Sequence, residues 1–102
     1  MTMTNDQTYV GSTVLDRQGE PIGTVKDVVF EEAAVTPTWL VVKPGLFRAQ
    51  HYVPAQNTYR TASSDVVVPY DADVVRNAPK APAKEHVISH ENRSALKRHY
   101  GL

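Results

Sequence analysis

A chain of 102 residues, 41% hydrophobic and 22% charged, can bury one modest core but not two independent ones. It contains no cysteine, which excludes disulfide staples and thiolate metal sites and suits a reducing compartment. The formal net charge is zero, no run approaches the roughly 20 apolar residues of a membrane helix, and the start MTMTNDQTYV has neither the basic nor the apolar part of a signal peptide; the expectation is a cytoplasmic protein.

Residues 1–9 read as a flexible N-terminus, and a strand-rich body begins at Val10. Val14-Leu15 precede Asp16-Arg17-Gln18-Gly19-Glu20, in which Gly19 can take the positive φ of a tight hairpin turn, and Ile22 opens a second apolar run. From Ile22 to Phe30 alternation is mixed with the doubled Val28-Val29, the pattern of a bent or bulged strand. Gly23 marks either that bend or a close backbone approach. Residues 31–37 read as a loop stopped by Thr36-Pro37, and Trp39-Leu40-Val41-Val42 is a strand apolar enough for burial on both faces. His51-Tyr52-Val53-Pro54 is the fourth strand, ended by a proline that cannot donate to a ladder.

Tyr59 to Ser64 reads as a polar connection, and Val66-Val67-Val68 is the fifth strand. Asp71 is placed to cap one helical turn that Pro79 forbids from extending. Five short strands with little helix predict an all-β fold, a small antiparallel barrel whose closure removes exposed edges. The segment NAPKAPAK, residues 77–84, reads as an extended, semi-rigid connector. Beyond it Ser89 can cap a C-terminal helix, with Glu91 in its first turn, Lys97, Arg98 and His99 in its last, and Gly101 as the stop. Leu96 and Tyr100 share one face, and so short a helix needs a surface to dock on.

Charge divides along the chain. Residues 1–75 carry nine acids against five bases, whereas residues 76–102 carry six bases against two acids. The two parts attract, so the basic tail is expected to lie on its own acidic body or on a neighbour's rather than on nucleic acid.

The run VLDRQGEPIGTVKDVVFEE, then WLVVKPGLF, YVPA and VVVPYDADVVRNAP, resembles the PRC-barrel family, shared by the photosynthetic reaction-centre H subunit and a ribosome maturation factor. The terminal LKRHYGL is similar to the tail of stand-alone, stress-linked bacterial members. The resemblance implies a PRC-type, SH3-like barrel over residues 10–79, followed by a connector and helix over 80–102. It also implies a docking role on larger assemblies, without fixing the task.

Gly45-Leu46-Phe47 falls in the connection between the third and fourth strands, where a soluble chain usually spends polar residues. Phe47 is expected to fold inward with Trp39 and Tyr52, leaving Leu46 and Arg48 at a partner or subunit surface. With the tail residues, the candidate interaction surface is Leu46, Phe47, Arg48, Leu96 and Tyr100.

Catalytic chemistry finds little support. His86 and His90 are four apart, with His51 and His99 elsewhere, but a cap at Ser89 would leave His86 outside the helix, and no HExxH sequence is present. Ser63-Ser64-Asp65 lacks a nucleophile elbow, and the paired acids Glu31-Glu32 and Asp71-Asp73 read as loop charge and capping. No GxGxxG or Walker sequence occurs, so no catalytic, metal or cofactor residues are assigned and no cofactor is expected. The leading expectation is a non-enzymatic docking module, homodimeric or bound to another protein. The alternative is an RNA- or ribosome-associated factor using Arg93, Lys97 and Arg98. A small-ligand binder would need a pocket, which so small a barrel normally fills with side chains.

Overall fold

The computed structural model describes residues 9–31, 33–45, 48–82 and 87–102. Its strands are β1 (Thr13–Leu15), β2 (Pro21–Val29), β3 (Trp39–Lys43), β4 (Gln50–Pro54), β5 (Tyr59–Arg60), β6 (Val66–Val67) and β7 (Lys80–Ala81). Helix α1 (Ala72–Arg76) lies between β6 and β7, and helix α2 (His90–Tyr100) follows β7. The strands form one seven-stranded sheet in the order β5-β6-β1-β2-β3-β4-β7.

Three expectations need correction. Tyr59–Arg60 and Lys80–Ala81, expected within a polar connection and an extended connector, are strands, so among the described residues the sheet has seven strands and not five. Among the described residues β5 and β7 are not paired with each other, so the sheet has two ends and is not the closed barrel expected. Both end strands are two residues long, and β7 stands between Pro79 and Pro82, which offer no N–H to extend a ladder. The sheet is also not wholly antiparallel, because β1 pairs in parallel with β6. Alternation of side chains is the same for either direction of pairing, so the Val66-Val67-Val68 run carried no sign of this.

The β1–β2 hairpin turns as expected, with Gly19 at φ +87° and its N–H donating to the Asp16 carbonyl at 2.9 Å. Strand β2 is irregular at two points. Its register against β1 shifts so that Ile22 is passed over, and its register against β3 shifts so that Lys26 is passed over. These bulges explain how Ile22, Val25 and Val28, spaced by three, are all buried, which a regular strand of period two would not allow. Gly23 is a site of close approach: a Cβ there would stand 2.8 Å from the Pro44 Cα.

Strand β3 is buried from Trp39 to Val42 and β4 from His51 to Pro54, consistent with the unbroken apolar run in β3. They form the middle of a single core that also takes Val14, Val66, Val68 and Val75. From the tail, Ile88, Leu96 and Tyr100 join the same core.

Helix α2 forms with the predicted caps. Ser89 Oγ accepts from the Asn92 N–H at 3.2 Å, and the N–H groups of Gly101 and Leu102 donate to the carbonyls of Arg98 and Lys97. The Tyr100 hydroxyl donates to the Tyr52 carbonyl at 2.6 Å, and its ring lies 4.7 Å from that of Tyr70, centroid to centroid. Burial, with Tyr70 beside it, pushes the Tyr100 hydroxyl well above the ordinary phenol range. His99 Nε2 lies 2.6 Å from the Val74 carbonyl, and Arg93 pairs with Glu31 at the end of β2. The tail is therefore bound to its own body at both ends of the helix.

Candidate functional site

Charged side chains gather in two places, and their surroundings differ. The first is the corner where the β1–β2 turn meets α1. Asp16 is buried; its Oδ1 accepts from the N–H groups of Gln18 and Glu20 at 2.9 and 2.8 Å, and its Oδ2 accepts from the Ala72 N–H at 3.3 Å. Burial opposes ionisation, but the donors of Glu20, Gln18 and Ala72, with Arg17 beside it, outweigh that and hold its carboxyl below the usual carboxylate range. Asp16 thus supplies an acceptor at the start of α1, where Asp71 was expected to act. Asp71 does occupy the N-cap position, but its side chain makes no cap bond; it binds Arg17 through two contacts of 2.7 and 3.2 Å.

The second place is a surface cleft of about 680 Å³ lined by Pro44, Arg48, Ala49, His51, Arg76 and Lys80. Its cations come from three separate segments: the connection after β3, the last residue of α1 and the first of β7. Among the described residues that line it there is no carboxylate. Asp73 approaches Arg76 to 3.8 Å, but its side chain is 90% exposed, so the contact is weak. His51 is buried, with Nδ1 2.9 Å from the Ala78 carbonyl; because a carbonyl can only accept, Nδ1 carries the proton. That bond ties the wall of the cleft to the segment between α1 and β7. A smaller depression of about 200 Å³, lined by Gly23, Thr24, Lys26, Lys43, Pro44 and Gly45, shares Pro44 with the cleft.

Of the residues expected at a contact surface, Arg48 is exposed at the cleft, and Leu46 and Phe47 lie outside the described residues. Leu96 and Tyr100 are 0% and 7% exposed. This corrects their assignment to an outer surface: the helix needed an apolar partner, and its own body provides one. His51 and His99 bond different carbonyls, His86 lies outside the described residues, and among those described no group of three His, Asp or Glu is placed to hold a metal. Arg76 and Lys80 were missed as site residues. They read as the end of a helical turn and part of a connector, and no spacing in the sequence brings Arg48 to them.

A protein-family model of the PRC-barrel domain matches residues 1–81, which takes in every strand of the sheet. The chain belongs to the PRC-barrel family. No curated protein matches it. The PRC-barrel match ends at Ala81, the last residue of β7, so α2 lies beyond it although Leu96 and Tyr100 share the core of the matched part. Among the described residues of this PRC-barrel protein, no helix is long and apolar enough to cross a membrane.

Proposed function

We propose that this PRC-barrel protein is a non-enzymatic docking module, working through the end of its body that carries Arg48 and engaging a protein partner or a second copy of the chain. The family is in general non-catalytic, and its domains often mediate protein interaction. The observation that carries the reading is the position of Arg48, exposed beside an open cleft at the β3–β4 connection, where the sequence places Leu46 and Phe47. Arginine is among the residues enriched at interface hot spots. The C-terminal helix is left out of this surface, because its apolar residues are spent on the protein's own core.

Capture from native extract with wild type and Arg48→Glu, followed by rebinding of the purified partner, tests the reading. A partner that rebinds wild type and is lost by the variant supports it; equal rebinding contradicts it. For self-association, sedimentation is expected to show a concentration-dependent dimer, and a monomer at the highest concentration would restrict the surface to another protein. The RNA reading draws on Lys26 and Lys43 beside the cleft. Against it, Arg93 is engaged by Glu31, and among the described residues lining the two depressions there is no tyrosine, phenylalanine or tryptophan for base stacking.

A further inference from the structure

We infer that the cleft between the β3–β4 connection, α1 and β7 binds the phosphate group of a small phosphoester. Arg48, Arg76 and Lys80 line one concave volume, and no carboxylate is among its described lining residues. In a chain of zero net charge this concentration is local, and carboxylates were available to neutralise it. Asp71 is bound to Arg17 and Glu31 to Arg93, whereas neither Arg48 nor Lys80 has an ion pair among the described residues. A cleft lined by charges of one sign focuses the field and raises the local concentration of the opposite ion.

The donors favour a phosphate. Two guanidinium forks can each meet a pair of oxygens, and a lysine adds a compact point charge. A single carboxylate offers two oxygens and would leave one fork unused. The volume, about 680 Å³, lies in the range of small-molecule sites and exceeds what one phosphate fills, so room remains for an organic part against Pro44 and Ala49. The site also has a fixed wall. His51 is buried and its Nδ1 is bonded to the Ala78 carbonyl, which holds β4 against the segment that leads into Lys80.

This inference does not rest on the docking reading, because its probes are small molecules; either can fail alone. The test uses the full chain at low ionic strength, titrated with inorganic phosphate and with a nucleoside 5′-monophosphate, against sodium chloride of equal ionic strength. The read-outs are backbone amide shifts and thermal midpoint. The expected result is saturable shifts at Arg48, Ala49, Arg76 and Lys80, a raised midpoint with both phosphates, and tighter binding of the monophosphate. Arg48→Gln/Arg76→Gln is expected to weaken binding by about tenfold or more while its unliganded spectrum stays that of the folded protein. Lys80→Gln is a second variant with a smaller loss.

Three results would overturn the inference. One is the absence of saturable shifts at those amides in wild type, a read-out that needs no variant. Another is an equal midpoint rise in wild type and the double variant, the mark of a general salt effect. The third is tighter binding of a glutamate-rich peptide or an RNA oligomer than of either small phosphate, which would assign the cleft to a macromolecule.

Discussion

Asp16 and the Arg48 cleft both bring together charged groups from distant parts of the chain, yet they are built in opposite ways. At Asp16, three backbone donors meet one carboxylate, and Arg17 and Asp71 pair alongside. Each group there is answered by another of the same protein, so the corner joins the β1–β2 turn to α1. In the cleft, three cations share a volume, no acid is among its described lining residues, and the acid that comes within reach, Asp73 at 3.8 Å from Arg76, is largely exposed. The contrast teaches where to look for work: a charge cluster that satisfies itself belongs to the fold, and one that the fold leaves unanswered is available to something else.

Substitutions can break that comparison at different strengths. The largest expected effect lies in neither cluster but in the core that both surround. Leu96 is fully buried, and Leu96→Ala should cost about 2–5 kcal/mol in urea unfolding; a loss under about 0.5 kcal/mol, ordinary for surface positions, would mean that α2 is not docked on its own body. Gly23→Ala comes next. Its Cβ would meet the Lys43 carbonyl group and Pro44, backbone that cannot swing aside, for about 1–3 kcal/mol. Ser89→Ala removes the acceptor for the Asn92 N–H and should cost about 1 kcal/mol.

The Asp16 corner is sharpened best by pH. Its folded pKa lies below the ordinary value of 3.8, so its contribution is complete above that value and is lost as pH falls through the lower, folded one. Wild type should therefore lose stability on acidification below about pH 4, and Asp16→Asn should start less stable at neutral pH and lose less on the way down. Equal acid limbs in the two proteins would show that Asp16 is not held by those donors. The smallest effect is expected in the cleft itself. Arg48→Gln and Lys80→Gln should change stability by no more than about 0.5 kcal/mol.

Local chemistry made much of the fold legible. Gly19, Ser89 and Gly101 announced a turn and two caps, and all three act within a few residues of themselves. The unbroken apolar run of β3 announced burial on both faces. What stayed hidden depends on partners remote in sequence. Strands β5 and β7 are too short to show periodicity and exist because β6 and β4 lie beside them. The parallel β1–β6 pair and the open sheet follow from topology. The cap of α1 shows the same limit: Asp71 stood in the right place, but Asp16, 56 residues away, reaches the Ala72 N–H. The site divides likewise. Arg48 was expected at a surface from its setting beside Leu46 and Phe47 and is exposed, whereas Arg76 and Lys80 come beside it only once α1 and β7 fold against β4.

The division between a self-satisfied corner and an unanswered cleft is tested most directly by thermal unfolding of wild type, Asp16→Asn and Arg48→Gln/Arg76→Gln, each with and without a saturating small phosphoester. Asp16→Asn is predicted to melt at lower temperature yet keep the full rise on adding ligand, while the double variant melts like unliganded wild type and gains almost nothing. A double variant that gains as much as wild type, or an Asp16→Asn protein that gains nothing while still folded, would contradict the account.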